Sequence, residues 1–150
     1  MNSLWGNFDG ANDFKIPKAI LEEQALYIAK MTKNKLYCEV LEEQSIDDYY
    51  EEDYFRFKLV IKSEFLRNYE FTVLTIKHKI LQYPLNILIP EEIVSDIKKE
   101  KDVGQLWNGN GGFEHHLTAS DDQEFIKLLR LILSSENLMR IVKTLYQMAK

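Results

Sequence analysis

The sequence FRFKLVIK, residues 55–62, alternates between two kinds of side chain. Every second position is apolar, and the positions between are mostly Arg and Lys. The apolar positions are Phe55, Phe57, Leu59 and Ile61. Because successive side chains of a strand point to opposite faces, this pattern predicts a half-buried β-strand with one apolar and one mostly cationic face. The rest of the fold can be built outward from this strand.

Three other segments have the same two-residue period and predict further strands. Residues 36–41 carry apolar side chains at every second position, and residues 85–89 form a short run after Pro84, which favours an edge or strand-start position. Residues 69–80 form the third segment, and we expect one face of that strand to hold Thr72, Leu74, Ile76, His78 and Ile80. Short connections between consecutive strands predict an antiparallel four-stranded meander.

Apolar residues at three- and four-residue spacing predict helices on both sides of the strands. Pro17 suits the first turn of an N-terminal helix, and Asn34 can adopt the left-handed conformation that ends one. A short second helix begins at Pro90. A third begins at Ser120, which can form a capping box with Gln123, and a final helix follows residues 134–137. The predicted fold class is a two-layer α+β domain over residues 1–150, with the N-terminal and C-terminal helices packed on one face of the sheet.

Two segments have no regular period. Residues 1–16 form an N-terminal arm that contains Trp5, Phe8 and Phe14. We expect this arm to pack onto the domain, because large apolar side chains are costly to leave in water. Residues 103–119 hold four of the six glycines and are predicted to form a long loop.

Length and composition predict a cytoplasmic protein. The chain has 150 residues, about the size of one domain, and its single cysteine, Cys38, excludes an internal disulfide and fits a reducing compartment. Its first residues lack the basic and continuous apolar regions of a signal peptide, and its apolar runs are too short to cross a bilayer.

The charge of the chain is distributed unevenly. It has 24 acidic and 19 basic residues, a formal charge of -5. Between Leu36 and Phe55 there is no Lys or Arg, and there are eight carboxylates: Glu39, Glu42, Glu43, Asp47, Asp48, Glu51, Glu52 and Asp53. Without these eight the formal charge would change from -5 to +3. The acidity is therefore a local property, and we call residues 42–54 the acidic segment.

The acidic segment predicts a surface that binds another, basic protein. Carboxylates speed the encounter with a basic target, and tyrosine is enriched at binding hot spots. The predicted contact residues are Asp47, Asp48, Tyr49, Tyr50, Glu51, Glu52 and Tyr54. The predicted function is a small non-enzymatic protein-binding module, such as an inhibitor, an immunity-type protein or an adaptor, without membrane contact. The alternative is a solvated hairpin loop whose charges discourage aggregation. The oligomeric state stays open.

A rival hypothesis is a small enzyme or ligand-binding protein with a site between the sheet and residues 103–119. That segment offers a secondary contact region consisting of Trp107, Phe113, His115 and His116. Adjacent histidines have diverging side chains and rarely converge on one ion, so we predict no metal site, no cofactor and no catalytic residue. The glycines of this segment lack the preceding strand and following helix of a phosphate-binding loop.

Two further sets of residues, Cys38 and the basic residues of the strands, are expected to stabilise the fold rather than to bind a ligand. Cys38 has acidic neighbours rather than the positive charge that activates a thiolate, so we expect a packed, inert cysteine. The basic strand residues Arg56, Lys58, Lys62 and Lys77 could bind nucleic acid. We expect them instead to pair with carboxylates across the sheet, since the net charge is negative.

Overall fold

A computed structural model describes residues 1–43, 54–99, 107–108 and 115–149 of the chain. In chain order its elements are α1 (Pro17–Met31), β1 (Tyr37–Glu42), β2 (Phe55–Lys62), β3 (Glu70–His78), β4 (Leu85–Ile89), α2 (Glu91–Lys98), β5 (Trp107–Asn108), β6 (His115–Ala119), α3 (Asp122–Leu133) and α4 (Glu136–Met148). The strands form one antiparallel sheet in the order β1-β2-β3-β4-β6-β5. The predicted α+β class is confirmed.

The predicted strand count of four is wrong, because the segment 103–119 contributes strands to the sheet. β6 pairs with β4 over its whole length, so β4 lies inside the sheet rather than at an edge. Pro84 directly precedes β4, which agrees with the strand-start alternative. The sequence hides β6 because its five residues include only two apolar side chains, Leu117 and Ala119, and both of these are buried.

The core is built on a row of apolar side chains that crosses the sheet. Phe57 pairs with Ile76, Ile76 with Ile87, and Ile87 with Leu117, and all four are buried. Helix residues join the strand residues in the same hydrophobic cluster, among them Leu21 of α1, Ile93 of α2, Phe125 of α3 and Val142 of α4. Buried apolar surface stabilises the fold by about 25 cal/mol per Å². Every helix and the inner face of the sheet contribute to this buried surface.

β3 does not keep one alternation along its length. Leu59 pairs with Leu74 and Val60 pairs with Thr72, so Val73 is an extra residue in β3. Val73 and Leu74 both belong to the core cluster. The bulge changes which alternate positions of β3 are buried, since an inserted residue shifts every side chain that follows it to the other face. The predicted apolar face of this strand is therefore wrong at Thr72.

The connection from α1 to β1 is as predicted. Lys33 and Asn34 adopt φ angles of 52° and 65°, the left-handed conformation that ends a helix. The buried Thr32 hydroxyl donates to the carbonyl of Ile28 at 2.8 Å and accepts from the amide of Leu36 at 3.0 Å. This side chain therefore satisfies backbone groups on both sides of the turn, and Leu36 enters the core.

The N-terminal arm does not pack onto the domain, contrary to expectation. The side chains of Trp5 and Phe8 are 91% and 87% exposed. The arm instead forms turns of its own: the amide of Ala11 donates to the carbonyl of Phe8 at 3.3 Å, and Gly10 has a φ of 84°. Positive φ at the third position is what a type II turn requires, and glycine adopts it without strain. Local hydrogen bonds thus shape the arm while its rings face solvent.

Asp121, and not Ser120 as predicted, caps α3, because its carboxylate accepts from the amide of Glu124 at 2.8 Å. We expect Asp121→Ala to lower the free energy of unfolding by about 1 kcal/mol. The exposed Ser120 provides a matched control, and Ser120→Ala should change it by less than about 0.5 kcal/mol. Urea denaturation of both variants measures the difference. An equal loss in the two variants would contradict this assignment of the cap.

Candidate functional site

The two ends of the acidic segment lie side by side in the structure. β1 and β2 are antiparallel neighbours, and beyond β1 the amide of Glu43 still donates to the carbonyl of Arg56 at 2.9 Å. Of the predicted contact residues, only Tyr54 is among those that the structure describes. The other six, Asp47, Asp48, Tyr49, Tyr50, Glu51 and Glu52, lie outside the described residues.

Ion pairs connect the strands on the polar face of the sheet. The Nζ of Lys62 lies 3.0 Å from Glu39 and 3.7 Å from Glu70, and the Nζ of Lys58 lies 3.7 Å from Glu70. The hydrogen bond that Lys62 donates to the Glu39 carboxylate raises the pKa of Lys62. The expected pairing of strand cations with carboxylates across the sheet is confirmed for Lys58 and Lys62, and for Lys77 it stays a prediction.

The same pairing reaches the start of the acidic segment. A guanidinium nitrogen of Arg56 lies 3.9 Å from a carboxylate oxygen of Glu43. With the pair between Lys62 and Glu39, two of the three clustered carboxylates that the structure describes, Glu39 and Glu43, are paired with basic residues of β2. These basic residues therefore act within the sheet, which removes the main support for a nucleic-acid-binding face.

Tyr54 marks the point where the acidic segment returns to the sheet. The Nζ of Lys77 lies 4.6 Å from the centre of its ring, and the Nζ of Lys79 lies 5.3 Å from it. Each such cation–π contact contributes about 0.5–1 kcal/mol at a partly exposed site. The half-buried ring is therefore held against β3, and its contact with a partner stays a prediction.

An exposed apolar turn lies beside this end of the segment, and sequence reasoning missed it. The prediction that Ile80 lies on the apolar face of β3 is wrong, because Ile80 is 73% exposed, and Leu81 is 84% exposed. The amide of Gln82 donates to the carbonyl of Lys79 at 2.8 Å, so the two apolar residues occupy the centre of a tight turn. Such positions usually hold Gly, Pro, Asn, Asp or Ser. We call residues 79–82 the apolar turn.

Pairing of the strands places the apolar turn next to the acidic segment. The last residue of β3, His78, is opposite Phe55, the first residue of β2. The chain enters the apolar turn directly after His78, and it leaves the acidic segment directly before Phe55. In the sequence, this exposed turn is indicated by the apolar pair Ile80-Leu81, which comes just before Gln82-Tyr83-Pro84, where a turn is favoured.

The remaining chemical candidates have structural roles. Burial raises the pKa of the Cys38 thiol to about 12, and Cys38 lines an apolar cavity of about 110 Å³ enclosed by α1, α3, α4 and the sheet. His78 is buried, and the centre of its ring lies 5.8 Å from that of Phe55 and 6.1 Å from that of Phe57. Its Nδ1 lies 2.7 Å from the carbonyl oxygen of Lys79. Among the described residues, no three His, Cys, Asp or Glu side chains are grouped to hold a metal ion.

The predicted secondary contact region is strand rather than loop at three of its four residues. Trp107 belongs to β5, His115 and His116 belong to β6, and Trp107 pairs with His116. Phe113 lies outside the described residues. His115 and His116 are the first two residues of β6, and their backbones pair with β4 and β5.

Comparisons of this chain with protein-family models, with curated proteins and with solved structures give no match. Among the helices that the structure describes, none combines the length and the apolar character needed to span a bilayer. Function is therefore argued from the geometry of the chain itself.

The raised pKa of Cys38 predicts slow reaction with a chromogenic disulfide reagent. At pH 8 a thiol with a pKa of about 12 has roughly a thousandfold less thiolate than one at the ordinary value of 9.0, and only the thiolate attacks. We expect the native protein to react at least about a hundredfold more slowly than the same protein unfolded in urea. Similar rates in the two states would show that the thiol is accessible and ionised.

Proposed function

We propose that this protein is a non-enzymatic, cytoplasmic protein-binding module, such as an inhibitor, an immunity-type protein or an adaptor. Its contact surface consists of the acidic segment together with the apolar turn, and its partner is a basic protein. The observation that carries the proposal is the exposure of Ile80 and Leu81 in a tight turn beside the ends of the acidic segment.

The apolar turn has the properties of a binding anchor. Two neighbouring aliphatic side chains at the tip of a turn expose apolar surface that the fold does not use. Contiguous exposed apolar surface with a polar surrounding is typical of protein–protein contact sites. The hydrogen bond between Gln82 and Lys79 holds the backbone of the turn, so little conformational entropy would be lost on binding.

The acidic segment, whose end at Tyr54 lies next to this anchor, supplies the charge of the proposed surface. Of the eight clustered carboxylates, Glu39 in β1 and Glu43 at the start of the acidic segment are paired with basic residues of β2. The six others are Glu42, Asp47, Asp48, Glu51, Glu52 and Asp53. A concentration of negative charge around an apolar centre favours association with a basic surface, and it does so mainly by increasing the rate of encounter.

The chemistry of the described candidates agrees with a binding role. The thiol of Cys38 is protonated at neutral pH, and the imidazole of His78 is buried among aromatic rings. Neither group presents a nucleophile or a base to solvent. The proposed contact residues are those predicted from the sequence, Asp47, Asp48, Tyr49, Tyr50, Glu51, Glu52 and Tyr54, with Ile80 and Leu81 added.

Neutralising four acids of the segment should weaken partner binding. In the variant Asp47→Asn, Asp48→Asn, Glu51→Gln and Glu52→Gln, the formal charge changes from -5 to -1. We expect association with a basic partner to slow at least about tenfold at low salt, and the difference to shrink as salt increases, because screening removes long-range attraction. Affinity capture from native extract, with mass spectrometry at two salt concentrations, measures the recovered partners.

A charge-matched control separates the local effect from net charge. Four exposed acids elsewhere can be neutralised with the same change from -5 to -1: Glu22, Glu64, Glu124 and Glu136, each to Gln. This control should recover the same partners as the wild type. If the variant of the acidic segment recovers them equally well, the segment is a solvated loop and not a contact surface.

Polar substitution of the apolar turn should reduce affinity without destabilising the fold. We expect Ile80→Ser with Leu81→Ser to weaken binding of the captured partner at least about tenfold at every salt concentration, because an apolar anchor is insensitive to screening. The free energy of unfolding should change by less than about 1 kcal/mol, since both side chains are exposed. Leu26→Ser, at an exposed apolar residue of α1, is the matched control and should bind normally.

A further inference from the structure

The N-terminal arm presents apolar side chains that its own domain does not bury. Leu4 is 89% exposed, and the rings of Trp5 and Phe8 are as exposed as Leu4. The amide of Asp9 donates to the side chain of Asn7 at 2.8 Å, and further turns follow at Gly10. The arm is therefore shaped by its own hydrogen bonds before it meets any binding surface, which lowers the entropy lost on docking.

An apolar groove lies between α4 and the turn that joins β2 to β3. It has a volume of about 450 Å³, and its apolar lining consists of Leu66, Ile141, Leu145 and Met148. Arg67 and Arg140, both exposed, lie at its border. Arg140 also lies 3.9 Å from Glu136 on the same helix, a weak pair that leaves most of its side chain in solvent.

The arm and the groove are chemically complementary. The arm carries large apolar side chains and two carboxylates, those of Asp9 and Asp13. The groove has an apolar floor and two guanidinium groups at its border. A groove of this volume has room for one or two aromatic rings. Carboxylates close to the rings would then meet the arginines at the border, where planar guanidinium groups bind carboxylates well.

We propose that the N-terminal arm of one chain binds in the groove between α4 and the β2–β3 turn of a second copy of this chain. The arm does not occupy its own groove, since Trp5 and Phe8 stay in solvent. If each of two chains inserts its arm into the other, the assembly closes as a symmetric dimer with two identical contacts. This inference concerns a different surface from the acidic segment and does not depend on it.

The surface available is sufficient for such a dimer. Burial of Trp5 and Phe8 removes about 150–250 Å² of surface per ring, or roughly 600–1,000 Å² for the two arms together. The groove surfaces that they cover add a comparable area. The total reaches the size of about 1,200–2,000 Å² that is usual for stable, specific interfaces.

The test is the mass of the full-length chain in solution. Sedimentation and light scattering across a range of protein concentrations should show the wild type at twice the mass of a single chain. Trp5→Ala with Phe8→Ala removes the rings of the arm, and Thr144→Trp fills the groove from an exposed position. Each variant should raise the dimer dissociation constant at least about tenfold, as expected for the loss of a buried aromatic anchor.

Two controls distinguish the contact from damage to the fold. Leu26→Ala removes an exposed apolar side chain outside both surfaces, and Gln147→Trp adds a ring to an exposed position of α4 outside the groove. Both should stay dimeric. Circular dichroism should show the same helix and strand content for all the variants.

Mixing the two disrupted variants gives the decisive measurement. The W5A/F8A chain retains an intact groove and the T144W chain retains an intact arm, so the mixture should associate through one contact, and more tightly than either variant associates with itself. A wild type that is monomeric at high concentration would overturn the proposal. A dimer that either variant leaves unchanged, or a mixture that does not associate, would overturn it as well.

Discussion

Burial of one apolar row across the sheet is the constraint on which the rest of the structure depends. Phe57, Ile76, Ile87 and Leu117 come from four different strands and meet side by side. Side chains from every helix join this row in one cluster. Without this shared burial neither the short helices nor the two-residue β5 would be stable, since isolated elements of that length are marginal in water.

The opposite face of the sheet is organised by charge. Lys62 bridges Glu39 and Glu70 from the middle of three strands, and Arg56 reaches Glu43 at the start of the acidic segment. Such partly exposed pairs contribute little stability. They do determine where charge is neutralised, so the basic residues of β2 and the first carboxylates of the cluster act on each other rather than on a ligand.

The proposed recognition surfaces lie where local hydrogen bonds shape the backbone but tertiary packing leaves the apolar side chains exposed. The tight turn at Ile80 and Leu81 and the local turns around Gly10 each place large apolar side chains in water. Apolar residues in such places are unfavourable for an isolated chain and useful for a chain that associates. The two proposed contacts use these two sites. The apolar turn lies next to the end of the acidic segment through strand pairing, and the arm carries Asp9 and Asp13 in its own sequence.

The sequence by itself determined the α+β class, the extent of α1, the charge pairing on the polar face and the inert character of Cys38, because periodicity and charge are local properties. Tertiary structure decided what depends on distant partners. β6 exists because β4 pairs with it, and the bulge at Val73 changes which residues of β3 are buried. The exposure of Trp5 and Ile80 was likewise decided by the packed domain, since burial depends on which surfaces meet and not on the side chain alone.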